Sequence, residues 1–503
     1  MFDFSLRTCV APALGVLLVF SGTFSFPSRA AAQAGGGRAS PRPAGAERMI
    51  DAGTVRQTVD TVAALVTAAY VVPDTGKLIA EHLRARQRAG AYDRPLTYPQ
   101  FAEAVTRDMK AVNGDLHLNL TYNPNAGAAG APDASTQIGP RIVMREAPPG
   151  ATPGAPPGAN GGGRAGGAPG GPQPVRRVMG AGGSAPDAQT RRTNFGFNDA
   201  RRLPGNVGYL ELSLVSSRGG DAAFEAGAAA MAFLANTDAV ILDVRRAPGG
   251  DPRMSDFLAS YFFGPDSVQT LTSAFGGSSM VRWTREVPGR RRPDVEVYIL
   301  TGPGTASGAE DFSFIFKQLK RGTLVGERTA GAGRMNNIVP VGNGFSASVS
   351  TGRTFDPRTG AEWERVGIAP DIAVPVDDAL SAAHAEALRR LAAKEADSTQ
   401  RRALTWTSEL VEAERKPVAM SATTLRAYAG TYGARVITAA GGALYYQREP
   451  GRPRDRLVPL PDGTFALGEG AMRIAFVREG SGPVRELRML APSGASSAFP
   501  RGK

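Results

Sequence analysis

Apolar residues recur with a helical period from Arg48 to Asn113. Val55, Val59, Val62 and Val66 share one face, Leu78, Ile79, His82 and Leu83 a second, and Phe101, Val105, Met109 and Val112 a third. Pro73 separates the first two, Pro99 opens the third and Asn113-Gly114 closes it, which predicts a three-helix module. The period then falls to two. In DLHLNLTY, Leu116, Leu118 and Leu120 point one way and His117, Asn119 and Thr121 the other, so a strand is expected. Ordered sequence resumes at Phe195, where the strand-like runs NVGYLELSLV, AVILDVR and VEVYIL alternate with the helix-like runs DAAFEAGAAAMAFLA, DPRMSDFLASYFF and GAEDFSFIFKQLK. That alternation predicts an α/β core, a mixed and largely parallel sheet with crossover helices. TLVGE, NNIVPV and FSASVSTG follow with little helix between them, so part of the sheet or its edge should be antiparallel. A helical stretch runs from Pro375 to about Glu414. Short strands between Leu425 and Leu490, punctuated by Gly441-Gly442 and Asp462-Gly463, predict a separate antiparallel β domain.

Composition adds the boundaries. Gly and Pro supply 19 of the 40 residues from Ala151 to Thr190, and no aromatic residue occurs from Asn123 to Asn194. Such a segment has little apolar surface to offset the entropy of ordering and is expected to be a disordered insertion. At the start, Arg7 precedes an apolar run from Val10 to Phe26, and Ala32-Gln33-Ala34 offers a small-x-small cleavage site, the pattern of a secretory signal peptide. The expected organisation is a signal peptide at 1–34, a helical module at 45–122, the insertion at 123–194, a catalytic core at 195–375, a helical linker at 376–416 and a β domain at 417–503. Cys9, the only cysteine, lies within the leader, so the mature chain should have no disulfide and no cysteine-bound metal. No later apolar run approaches the roughly 18 residues of a membrane span. The net charge of +12 is scattered arginine, much of it in flexible segments, which argues against a nucleic-acid partner.

One serine raises the question of chemistry. Ser307-Gly308-Ala309-Glu310 has the spacing of a capping box, serine at the N-cap and glutamate three residues on. The same geometry puts a serine at a strand-to-helix turn on the carboxyl edge of a parallel sheet, where ligands bind and free helix-start amides can hold an oxyanion. A serine nucleophile needs a base. Of the three histidines, His82 and His384 sit on apolar helical faces and read as core or near-core residues, whereas His117 projects from the polar face of its strand. Ala247-Pro248-Gly249-Gly250 is a turn that frees backbone amides, suited to an oxyanion or merely to a tight corner. Glu362 and Glu364 flank Trp363 in GAEWERVGIAPDI and by themselves read as solvated.

Taken in order, DLHL, ILDVRRAPGG, TGPGTASGAEDF, VGERTAGAG and EWERVGIAPDI resemble the C-terminal-processing (tail-specific) serine peptidases, in the interphotoreceptor-retinoid-binding-protein-like branch that lacks a PDZ domain. The resemblance runs from about Arg48 to Val374 without the insertion. It implies a crotonase-like peptidase core, and an exported endopeptidase acting on proteins or peptides with no metal or organic cofactor. The nucleophile falls on Ser307, the base on His117, and the glutamate completing the relay on Glu364. The oxyanion donors fall on Gly308 and on Gly249 or Gly250. Where the other branch carries a lysine, this chain has Ala332 in Thr329-Ala330-Gly331-Ala332-Gly333. Lys317 and Lys320 lie ten and thirteen residues past Ser307, which argues against a Ser-Lys dyad. Two departures stand out. Ala247-Pro248 replaces the usual Asn-Gly, and Leu116 replaces a serine that in relatives links the histidine to the glutamate. The Glu364 contact with His117 must therefore be direct, replaced by Asp115, or absent. The competing expectations are an inactive relative that binds an apolar ligand or peptide, and an envelope-binding protein acting through the basic insertion.

Overall fold

The computed structural model describes residues 48–124, 188–480 and 482–502; the leader at 1–34 and almost all of the 123–194 segment lie outside the described residues. Three helices open the described chain: α1 (Ala52–Ala69), α2 (Pro73–Arg88) and α3 (Tyr98–Asn113). The valine face of α1 and Phe101, Val105 and Met109 of α3 are buried together, as their spacing requires. Leu78 is the exception at 56% exposure; Ile79, Ala80 and Leu83 carry the α2 contact. Strand β1 (Asn119–Tyr122) follows, then a short helix α4 (Ala188–Arg192).

The strands and helices of the core come next: β2 (Phe197–Leu203), β3 (Val207–Leu212), α5 (Asp221–Phe233), β4 (Ala239–Asp243), α6 (Pro252–Ser260), β5 (Gln269–Phe275), β6 (Ser278–Trp283), β7 (Glu296–Thr301), α7 (Gly308–Gln318), β8 (Thr323–Gly326), β9 (Arg334–Gly342), β10 (Phe345–Phe355) and β11 (Ile372–Ala373). Six strands form one sheet in the order β11-β8-β7-β4-β3-β2, parallel throughout except for β2 against β3. Its central strands β3, β4 and β7 are buried on both faces, which is why they read as unbroken apolar runs. Val240 and Leu242 pack with α5, α6 and α7. Ala239 and Ile241 face the other way, onto helix α8 (Ala379–Lys394).

Helix α8 corrects the expected linker. Its Ala379, Ala383, Ala387 and Leu388 are fully buried against the sheet, so it is the second helical layer of the core. Small alanine side chains let it approach closely while leaving a weak apolar signal in the sequence. Helix α9 (Ser398–Arg415) packs on it, and α10 (Ala422–Tyr428) leads into the last region.

A second, antiparallel sheet runs β1-β10-β5-β6, with β9 also on β10. Phe345, Ala347 and Val349 of β10 close over the α1–α3 core. The β5–β6 hairpin, turning at Gly276-Gly277, was not among the expected strands. Eight further antiparallel strands, from β12 (Gly430–Tyr432) to β19 (Ser496–Pro500), pair in sequence order. The first joins the last through a Tyr432–Arg501 bridge and a 2.8 Å bond from Gly502 N–H to Thr431 O, closing the sheet into a barrel filled by Tyr432, Ile437, Leu444, Phe465, Ile474 and Leu487. Arg473 ties the barrel to α9 through Glu409 and stacks over Trp406.

Candidate active site

Strands β4 and β7 are neighbours in the parallel sheet, so the turns at their carboxyl ends lie side by side. The β7 turn is fastened to the β4 end. Thr305 Oγ1 donates to Val244 O at 2.8 Å, and Ala306 N–H to Ala247 O at 3.0 Å. The Ala247 carbonyl thus anchors the residue preceding Ser307. Ser307 itself adopts φ 51° and ψ −117°. A non-glycine residue at positive φ is strained, typically by about 1–3 kcal/mol, and such strain collects at functional sites. A sharp strand-to-helix turn of this kind presents its serine Oγ outward.

Ser307 stands in capping-box geometry with Glu310, although its side chain makes no full cap hydrogen bond to the helix. Its Oγ lies 3.0 Å from His117 Nε2. The reverse half of the capping box is strong: buried Glu310 accepts from Ser307 N–H at 2.9 Å and also from Thr329 Oγ1 at 2.5 Å, Gly331 N–H at 2.7 Å and Ala332 N–H at 2.7 Å. Burial raises the Glu310 carboxyl above its usual range, and these four donors oppose that rise. One carboxylate therefore ties the serine elbow to the 329–333 loop, a role wider than the cap its spacing suggested.

Backbone amides crowd the same spot. Val215 N–H donates to Gly249 O at 3.0 Å and Asp251 N–H to Val215 O at 2.8 Å, pinning Gly250 between them. A Cβ on Gly250 would come within 1.8 Å of Val215 O, and one on Gly308 within 2.4–2.6 Å of the Gly250 backbone, so both positions demand glycine. Neither amide donates to another described residue. An adjoining cavity of about 180 Å³ is lined by Gly250, Pro252, Ser307, Ala332, Met335 and Trp363 among others.

His117 departs from its expected strand placement. It occupies a turn before β1, because Asp115 Oδ1 accepts the His117 amide at 2.8 Å and bends the chain there. Alternation consequently begins only at Leu118, and Leu116 is 47% exposed. Burial lowers the His117 pKa below the ordinary histidine value; Asp115 opposes this, and Lys110 and Arg334 reinforce it. Its Nδ1 is buried without a hydrogen-bond partner, and the Asp115 carboxylate stands 3.9 Å away. Glu364 makes no hydrogen bond to His117. Its Oε2 accepts from Gly333 N–H at 2.7 Å, and burial, followed by the Asp115 charge, pushes it up to about 7. Glu362 pairs with Arg334 at 3.4 Å.

The remaining candidates are elsewhere. Buried His384 contacts Pro204 O at 2.8 Å, and His82 is half-buried on α2. Lys317 is paired with Asp371, and Lys320 is exposed beyond the end of α7.

Residues 206–374 match peptidase family S41, and residues 52–150 match the N-terminal domain of peptidase S41 in eukaryotic IRBP; between them the two matches span more than half the chain. The chain belongs to peptidase family S41. Similar proteins include the carboxyl-terminal-processing protease of Synechocystis sp., 29% identical over 178 residues, 35% of this chain and 39% of that one. The chloroplastic C-terminal processing peptidase of Tetradesmus obliquus is 34% identical over 74 residues, 15% of this chain and 16% of that one. The chain thus spans well under half the length of these curated relatives. Among solved structures, a photosystem II D1 C-terminal processing protease aligns with a TM-score of 0.37 at 15% identity, covering 65% of this chain and 94% of its own. A Streptococcus agalactiae lipoprotein aligns at 0.41 and 14% identity, covering 67% and 96%.

Proposed function

We propose that this S41 member is an exported serine endopeptidase that hydrolyses peptide bonds in proteins or peptides, with Ser307 as nucleophile and His117 as base. The observation that carries the proposal is the 3.0 Å approach of Ser307 Oγ to His117 Nε2 from an elbow strained to φ 51°. A serine serving only as a cap would keep extended backbone and bond its own helix. The processing-protease names of the relatives support protein chains as substrates, and the Arg7 and Val10–Phe26 pattern supports export. No described helix is long and apolar enough to cross a membrane.

In the proposed cycle the Ser307 hydroxyl proton passes to His117 Nε2 as Oγ bonds the scissile carbonyl carbon. The carbonyl oxygen gains negative charge and is held by the amides of Gly308 and of Gly250 or Gly249. His117 then gives its proton to the departing amine nitrogen, and water repeats the sequence on the acyl-enzyme. The step needs neutral imidazole, so kcat/KM should fall as pH drops through the His117 pKa. Because burial depresses that pKa, the acid limb should lie below the histidine reference of about 6.5. Replacement of Ser307 by Ala should abolish hydrolysis of an unstructured protein while leaving the thermal midpoint within a few degrees, as the loss of a cap residue costs only about 1 kcal/mol. Undiminished turnover by that variant would defeat the proposal. Absence of turnover by the wild-type chain, with a peptide still bound in the cleft, would favour a binding protein.

A further inference from the structure

The histidine is without an orienting hydrogen bond, and this opens a question the S41 assignment leaves unanswered. For Nε2 to accept the serine proton, the ring must carry its own proton on Nδ1, and that atom is buried without a partner. Two carboxyl groups compete for the role of partner. Glu364, which the family resemblance nominates, already accepts the Gly333 amide, and its raised pKa of about 7 leaves it only partly charged near neutrality. Asp115 is fully buried and is held from two sides. The His117 amide donates to Oδ1 at 2.8 Å, and Tyr70 O–H donates to Oδ2 at 2.8 Å. Asn113 Nδ2 donates in turn to the Tyr70 oxygen at 2.6 Å, and burial raises the Tyr70 pKa so that the hydroxyl keeps its proton.

We propose, resting on the serine-peptidase reading of this site, that Asp115 held by Tyr70 is the positioning carboxylate for His117 and the counter-charge for its protonated ring, in the place the family resemblance gives to Glu364. Four features of the site support this. The charged groups that act on the imidazole are Asp115, Lys110 and Arg334; Asp115 favours the protonated ring and the two cations oppose it. The 3.9 Å separation of Nδ1 from Oδ1 is about 1 Å too long for a hydrogen bond, and catalytic hydrogen bonds that are long in a free enzyme often tighten in the substrate complex. A carboxylate oxygen carries two lone pairs, so Oδ1 can take Nδ1–H without releasing the His117 amide. Tyr70 caps α1 and Asn113 ends α3, so the helical module holds the Asp115 side of the base. Asp115 and Tyr70 touch no reacting atom; they act through His117.

The test reads His117 directly, by NMR titration of the full chain with labelled histidine, where only three histidines need be resolved. Asp115→Asn should lower the His117 pKa by about one unit, as loss of an adjacent anion does, while Glu364→Gln should move it less. In hydrolysis, Asp115→Asn should lower kcat by about 10²-fold or more with KM little changed, and should carry the acid limb to lower pH. Tyr70→Phe should cost about three- to tenfold in kcat alone, and Glu364→Gln less than Asp115→Asn. Should Asp115→Asn fold poorly, the double variant with Tyr70→Phe, which removes the facing hydroxyl together with the charge, gives the same pKa reading. A His117 pKa that responds more to Glu364→Gln than to Asp115→Asn overturns the proposal. Expected pKa shifts in a chain that hydrolyses nothing would uphold the Asp115 pairing and sink only the peptidase reading.

Discussion

The two halves of the candidate dyad are held in opposite ways. Ser307 sits where two central parallel strands end, with its amide on Glu310, its neighbour Ala306 on Ala247, and Gly308 pressed onto Gly250. His117 stands in a turn between the helical module and the first strand of another sheet, with one ring nitrogen unpartnered and its nearest carboxylate at 3.9 Å. The proposed nucleophile and oxyanion amides are held by these contacts alone, and preorganisation of that kind is where a site contributes most to rate. The base side is left to tighten.

That contrast can be broken from either side. The largest effect should come from the rigid half. Glu310→Ala would leave four donors, three of them buried, without their acceptor, lowering stability by more than about 3 kcal/mol and, in whatever folds, removing nearly all turnover. A thermal midpoint within two or three degrees of wild type would show that the elbow is not held by this carboxylate. His117→Ala should cost about 10²-fold or more in kcat/KM yet change stability by only about 1 kcal/mol, because the base side holds little of the fold together. Loss of the fold on this substitution would erase the distinction between the halves. Smallest of all should be Lys317→Ala. With its ammonium on Asp371 at the far end of α7, it should alter kcat/KM by less than about twofold and stability by under about 1 kcal/mol. A collapse in rate there would reopen a lysine base.

The legibility of the sequence divides along the same line. Strands buried on both faces, such as AVILD and EVYILT, announce themselves as apolar runs, and the elbow serine follows from strand, turn and helix in immediate succession. The β5–β6 hairpin was missed because QTLTSAF and SSMVRW are rich in Ser and Thr. Two of its buried side chains, Arg282 and Thr270, are polar and satisfied by Asp256, a partner no local pattern reveals. Leu116 misled because a side chain, Asp115, overrides the strand period by capturing a backbone amide two residues on. Tyr70 lies 45 residues from Asp115, and His117 lies 190 from Ser307. Pairings at that separation are products of the tertiary fold, and only the resemblance of ordered motifs brought Ser307 and His117 together beforehand.

The most direct test of the central claim is to treat the purified chain with a fluorophosphonate, which reacts with activated serine hydroxyls, and to locate the adduct by mass spectrometry. A single stoichiometric adduct on Ser307, formed at least about 10²-fold more slowly in His117→Ala, is the predicted result. An unmodified Ser307, or labelling at the same rate without His117, would contradict it.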